Sequence, residues 1–165
     1  MTDYLKYALA FAILLVVQKA LVWLIALTEY QITPDLVLIG VVYLGIRKGK
    51  IPGSIGGFLT GLIFDLLSFS FIGLSALSKA TSGFVSGFFN NENKIDRYSQ
   101  TYVFTLIVFL SSLFNNFLYF SLYFQGTSLS MLLIIIRYVI PTAVYTAILS
   151  IILPLVARRR FAKRL

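Results

Sequence analysis

Few side chains in this sequence are able to carry out acid–base, nucleophilic or metal chemistry. The 165 residues include no cysteine or histidine and only six aspartates and glutamates. A thiolate nucleophile, a disulfide and an ordinary zinc site are therefore excluded, and a hydrolase that works through paired carboxylates is not expected. We expect no cofactor and no catalytic site. The residues that remain of chemical interest are charges placed among apolar residues.

Five charged residues lie inside or at the ends of apolar segments, namely Lys19, Asp35, Asp65, Lys79 and Arg137. A charge near the middle of a bilayer costs at least about 2.5–3.5 kcal/mol, so each needs a partner or a water-filled cavity. We predict that these five residues form a buried charged cluster in the outer half of the membrane. The cluster is either a ligand cavity or partner-docking site, or a set of structural pairs that fixes helix assembly, with Lys19 reaching outward.

The spacing around an expected turn near Phe71 predicts one specific pair in the charged cluster. Asp65 lies six residues before Phe71, and Lys79 lies eight residues after it. In two antiparallel helices that rise 1.5 Å per residue, these positions differ in depth by about 3 Å. We therefore predict an ion pair between Asp65 and Lys79, with Arg137 as the competing partner of Asp65.

Two stripes of small residues accompany Asp65 and Lys79. Gly53, Gly57, Gly61 and Asp65 recur every four residues, and so do Ser75, Lys79, Gly83 and Gly87. Residues four apart share one face of a helix, and small residues let membrane helices approach closely. The pattern predicts a close helical hairpin whose contact is formed by the glycines Gly53, Gly57, Gly61, Gly83 and Gly87.

Two further features lie in the last third of the chain. Asn115 and Asn116 are midway along an apolar segment, a position typical of hydrogen bonds between membrane helices. Pro141 follows Arg137 by about one helical turn and predicts a kink that frees a carbonyl near Arg137.

These residues are carried by apolar segments that fill nearly the whole chain. Apolar residues make up 59% and charged residues 12%, against about 45–50% and about 25% in soluble domains. We predict an all-α integral membrane protein, a single polytopic domain over residues 1–165, with six transmembrane helices at residues 5–27, 35–46, 51–69, 73–89, 101–124 and 129–156. A spanning helix needs about 20 residues, so the second segment is clearly short.

The basic residues predict the orientation in the membrane. Of the 14 Lys and Arg, all those outside the charged cluster lie near the N-terminus, at 47–50, at 90–99 or after residue 156, and the predicted outer loops 28–34, 70–72 and 125–130 contain none. Because basic loops stay in the cytoplasm, both termini are predicted to be cytoplasmic in a multi-pass protein of the bacterial inner membrane. The formal net charge of +8 is thereby explained without a nucleic acid. The tail residues Arg158, Arg159, Arg160, Lys163 and Arg164 are predicted to anchor this topology, or to contact anionic lipid or a cytoplasmic protein.

Short motifs within residues 34–77 resemble the rod shape-determining protein MreD family. They are PDLVLI at 34–39, RKG at 47–49, GGFLTGLIFDLL at 56–67 and GLSAL at 73–77, whereas Lys19 and Lys79 depart from the family pattern. The resemblance implies a non-enzymatic membrane scaffold subunit of the bacterial cell-elongation machinery that helps regulate peptidoglycan synthesis and rod shape. The implied partners are the bitopic membrane protein MreC, the complex of RodA with a class B penicillin-binding protein and, indirectly, MreB.

The same resemblance supplies an alternative function. The MreD fold is similar to that of the six-helix S components, which bind substrate in energy-coupling-factor vitamin transporters, and Ala8 and Ala12 resemble the small-residue surface that S components turn to their coupling subunit. A transporter subunit needs an open outer pocket with polar groups converging on a ligand, whereas a scaffold needs a cluster closed by its own ion pairs. The predicted outer loops contain few polar side chains, which favours the scaffold.

Overall fold

The computed structural model describes residues 2–25, 33–69, 71–91 and 102–152, and all secondary structure in these ranges is helical. The helices are α1 (Thr2–Ile25), α2 (Leu36–Lys48), α3 (Lys50–Ser68), α4 (Leu74–Ser86), α5 (Tyr102–Tyr123) and α6 (Met131–Ser150). A 3-10 turn, Gly87–Phe89, follows α4. The prediction of an all-helical protein with six helices is confirmed for the described residues. The predicted basic tail lies outside them.

Helix α2 lies at the centre of the bundle, although it is short. Its residues are apolar on every side, and most of them are buried: Val37, Leu38, Ile39, Val41, Val42, Leu44, Gly45 and Ile46. One side of α2 packs against Phe104 and Ile107 of α5, and another packs against Leu15 of α1. Because other helices surround α2, its 13 residues do not have to match the thickness of the bilayer.

Tight turns place α2, α3 and α4 side by side. Gly49, between α2 and α3, has a φ of 95°, and Gly73, before α4, has a φ of 99°. Glycine adopts positive φ readily because it has no Cβ. Phe69 ends α3 with a φ of 51°, in the left-handed region that glycine usually occupies at this position. These turns make α3 and α4 an antiparallel hairpin.

Helix α6 changes its hydrogen bonding close to the kink predicted at Pro141. Residues Ile135–Val139 form a π-helical segment, and the amide of Ile140 donates to the carbonyl of Ile135. Proline has no amide proton to donate to the carbonyl four residues earlier, so the ladder of hydrogen bonds shifts at this point. The hydroxyl of Thr142 donates to the carbonyl of Tyr138 at 2.7 Å, so this carbonyl, which lies in the π-helical segment, has a hydrogen-bond donor.

Three helices of the described ranges, α3, α5 and α6, are long and apolar enough to cross a membrane. Helices α2 and α4 have 13 residues each, fewer than the roughly 20 that a spanning helix needs. Large apolar side chains cover the outside of the bundle, including Ile55, Ile63, Leu106 and Ile148. A bundle with such a surface is soluble in lipid rather than in water, so the chain is a membrane protein.

Candidate functional site

Asp35 and Lys79 form a buried ion pair between α2 and α4. The ammonium Nζ of Lys79 donates to Oδ2 of Asp35, and the two side chains are only 5% and 15% exposed. Oδ1 of Asp35 accepts a hydrogen bond from the amide of Leu38 at 2.9 Å, so the same carboxylate also caps α2. The pair lies at the end of the bundle opposite Arg47, Lys48 and Lys50, which together define what we call the basic end.

The residues around Asp35 are bound by three other helices. The amide of Asp35 donates to Oγ1 of Thr146 on α6 at 3.0 Å. Gln18 on α1 donates from Nε2 to the carbonyl of Pro34 and accepts at Oε1 from the amide of Leu36, both at 2.8 Å. With Lys79 of α4, these contacts fix the start of α2 to α1, α4 and α6. Side chains from separate parts of the sequence therefore converge on one turn of backbone.

Asp65 does not pair with Lys79, and that prediction is wrong. The buried Asp65 carboxylate accepts hydrogen bonds from the amides of Gly73 at 3.0 Å, Ser75 at 3.0 Å and Ala76 at 3.3 Å. These amides belong to the first turn of α4 and the residue before it, where backbone donors lack helical partners and the helix dipole favours an anion. Lys79 lies one turn farther along α4, where its ammonium reaches Asp35 instead.

Lys19 and Arg137, the other cations of the predicted charged cluster, are placed differently. Nζ of Lys19 donates to the carbonyl of Leu67 at 2.7 Å and to Oγ of Ser68 at 2.8 Å, so it caps the last turn of α3. The Phe64 ring lies between the two lysines, with its centroid 5.3 Å from Nζ of Lys19 and 5.5 Å from Nζ of Lys79. Arg137 is exposed on the π-helical segment of α6 and lies outside the buried group.

The predicted glycines lie at the contact between α3 and α4. A Cβ at Gly53 would lie 2.6 Å from the carbonyl oxygen of Gly83, and a Cβ at Gly61 would lie 2.5 Å from that of Ser75. A Cβ at Gly57 would overlap the carbonyl of Lys79, and a Cβ at Gly83 would overlap the carbonyl of Gly53. A Cβ at Gly87 would overlap the Cα of Lys50. The backbones of α3 and α4 are therefore in direct contact along the hairpin. This contact sets where Asp65 and Lys79 stand.

A set of buried hydroxyl groups on three helices is the main feature that the sequence analysis missed. It consists of Ser75, Ser78, Ser82 and Ser86 on α4, Ser111 and Ser112 on α5, and Thr142, Thr146 and Ser150 on α6. Several hydroxyls donate to carbonyls of their own helix, as Ser78 does to Leu74 at 3.0 Å. Ser82 also donates to the carbonyl of Ser111 at 3.2 Å, which joins α4 to α5. The serines of α4 are spaced three and four residues apart, and this spacing could have predicted that they share one face of the helix.

The two asparagines of α5 bond within their own helix. Nδ2 of Asn115 donates to Oδ1 of Asn116 at 3.2 Å, and Nδ2 of Asn116 donates to Oγ of Ser112 at 3.1 Å. Both asparagines are buried. In place of the predicted bonds between helices, these side chains form a short chain of hydrogen bonds within α5. The link between helices is made by Ser82 instead.

The charged groups around Asp35 are engaged with one another and with the backbone. Among the described residues, Lys79 binds Asp35, Asp65 binds the amides that begin α4, and Lys19 binds the end of α3. Each bond joins two elements or caps one, so this arrangement holds helices in place. A site for a small polar ligand instead needs donors left free to converge on that ligand.

Comparison with known proteins adds one finding. The family model of the rod shape-determining protein MreD matches residues 3–162, nearly the whole chain. No curated protein and no solved structure matches the chain.

Proposed function

Since the chain belongs to the MreD family of rod shape-determining proteins, we propose that it is a non-enzymatic scaffold subunit of the bacterial cell-elongation machinery. In this proposal it binds an MreC-like bitopic membrane protein in the inner membrane. Through that protein it helps to organise RodA and a class B penicillin-binding protein, with MreB as an indirect partner, and so helps regulate peptidoglycan synthesis.

The buried charges already have partners within the protein, and this supports a scaffold over the alternative of a vitamin-binding transporter subunit. Lys79 and Asp35 neutralise each other, and Asp65 accepts hydrogen bonds from three backbone amides. A subunit that binds a vitamin needs polar groups left free to converge on the ligand. Buried ion pairs that join helices serve instead to fix one arrangement of them, which is what a protein that presents helix surfaces to partners requires.

Co-purification from detergent tests the proposal. The tagged chain is expressed with the MreC-like protein of the same bacterium, and we expect the two to elute together at a fixed ratio. An unrelated single-span protein with a similar soluble domain is the control and should not co-elute. Depletion of the chain should make rod-shaped cells round. A tight stoichiometric complex with a vitamin, and no complex with the MreC-like protein, would support the transporter function instead.

A double substitution separates a structural from a ligand-binding role of the charges. The variant with Asp35→Asn and Lys79→Met removes both charges of the pair while leaving neither one buried alone. When it reaches the same membrane level as the unchanged chain, the scaffold proposal predicts that it binds the MreC-like protein and maintains rod shape. Loss of rod shape at a normal membrane level would show that the charges act on a substrate or partner directly.

A further inference from the structure

The turn between α3 and α4 presents large apolar side chains at the end of the bundle opposite the basic end. Phe69 is 98% exposed, Phe71 is 72% exposed and Ile72 is 70% exposed. The segment 69–72 contains no charged residue. Exposed to water, each of these side chains would forgo about 1.5–3 kcal/mol of burial free energy. The turn therefore requires an apolar or interfacial environment.

The length of the hairpin fixes the depth of this turn relative to the basic end. Gly87, after α4, packs against Lys50 at the start of α3, so α4 ends at the level where α3 begins. From Lys50, the 19 residues of α3 rise about 28 Å. The hydrocarbon core of a bilayer is about 30 Å thick. With Lys50 at one boundary of that core, the turn reaches the opposite boundary and does not extend far beyond it.

The neighbours of Phe71 independently indicate the same level. The ring of Phe71 packs edge-on against Tyr123, with centroids 6.2 Å apart, and Tyr123 stacks on Tyr119 at 5.9 Å. Phe124, at the same end, contacts Tyr138 of α6 with centroids 5.0 Å apart. Tyrosine rings gather where the hydrocarbon core meets the headgroups, since one end of the ring is apolar and the other polar. Phe71 is thus part of an aromatic group typical of the membrane interface.

We propose that the α3–α4 turn is a lipid anchor, in which Phe69, Phe71 and Ile72 insert between acyl chains at the membrane boundary opposite the basic end. The anchor goes beyond the proposed scaffold function and does not depend on it. It fixes the depth of the hairpin from its tip, while Arg47, Lys48 and Lys50 fix it at the basic end. The lipid around the turn then separates Asp65, which caps α4 next to the turn, from water.

Fluorescence quenching of the full-length chain in lipid vesicles tests the anchor. Trp23 is the single tryptophan, so Trp23→Phe combined with Phe71→Trp places one reporter in the turn. We expect bromine atoms near the carbonyl end of the acyl chains to quench this reporter more strongly than bromine atoms near mid-chain, and iodide in the water to quench it weakly. The same background with Ile72→Trp repeats the measurement if the first variant does not fold.

Two matched reporters calibrate the result. Leu59→Trp lies on the exposed side of α3, nine residues and so about 14 Å from Lys50, and should be quenched most by bromine near mid-chain. Asn91→Trp, exposed beyond α4, should be quenched by iodide. Strong quenching of the turn reporter by iodide would overturn the anchor, because the turn would then project into water. Protection from both quenchers would also overturn it, because protein would then cover the turn.

Discussion

The buried pair of Asp35 and Lys79 makes a measurable prediction about energetic coupling. Lys79→Met leaves a carboxylate without its cation, and Asp35→Asn leaves an ammonium without its anion. Each single change should lower the free energy of unfolding by about 3–5 kcal/mol, because one buried charge loses its counter-charge. The double variant should lose less than the sum, with a coupling energy of roughly 0.5–3 kcal/mol. Unfolding in mixed detergent micelles, followed by circular dichroism, gives these values.

Asp65→Asn provides the control for that cycle. It removes a charge from the same end of the hairpin but from a carboxylate that bonds to backbone amides. Combined with Lys79→Met, it should therefore show a smaller coupling than Asp35→Asn does. A larger coupling of Lys79 to Asp65 than to Asp35 would contradict the pairing seen in the structure.

Asp65 also shows how far the sequence determines the site. Residue spacing predicts that Asp65 lies within about 3 Å in depth of Lys79, whereas its carboxylate bonds to amides at the start of α4, one turn before Lys79. The choice of partner does not follow from spacing, because unpaired amides compete for a carboxylate as strongly as a cation does. Asp35 gives no periodic signal, since it precedes a helix, and its meeting with Lys79 depends on how α2 packs.

The glycines of α3 predict a different sensitivity for two adjacent positions. A Cβ at Gly57 would overlap the backbone of Lys79 and lie 3.0 Å from the nitrogen of Ala80, so α3 and α4 would have to separate. A Cβ at Gly56 would meet only side chains within 4 Å, and the nearest atom, at 2.5 Å, is the tip of the flexible Leu44 side chain. Gly57→Ala should therefore destabilise the protein by about 1–3 kcal/mol through overpacking.

Gly56→Ala is the matched control for Gly57→Ala. Both changes gain up to about 1 kcal/mol of helix propensity, so the difference between them isolates the helix contact. We expect Gly56→Ala to leave the unfolding midpoint in detergent almost unchanged. Equal effects at the two positions would mean that the contact between α3 and α4 is loose in the membrane.

Helix α2 shows what composition predicts and what it does not. Its apolar residues and its short length are visible in the sequence, and both suggest a segment that spans poorly. Its central place is not visible, because a helix apolar on all sides fits lipid and a protein interior equally well. Only the contacts of Leu38 with α5 and of Val41 with α1 distinguish the two. The glycine stripes carry more information, since only a close helix contact uses small residues in this way.

The charge distribution over the whole molecule predicts which side each end faces. Arg47, Lys48 and Lys50 lie together at the basic end, and the rings of Tyr43 and Phe88 hold two of them in place. The exposed loop 125–130 has no basic residue. Because Lys and Arg next to membrane helices stay in the cytoplasm, the basic end and both termini should be cytoplasmic.

Since the chain contains no cysteine, single-cysteine variants report directly on which side of the membrane each position lies. We expect a membrane-impermeant maleimide to label Ser128→Cys in spheroplasts, and to label Asn91→Cys, Thr2→Cys and Ala162→Cys only after the membrane is opened. Labelling of Thr2→Cys or Ala162→Cys in intact spheroplasts would require an odd number of crossings or the opposite orientation, and either result would contradict six spans with both termini in the cytoplasm.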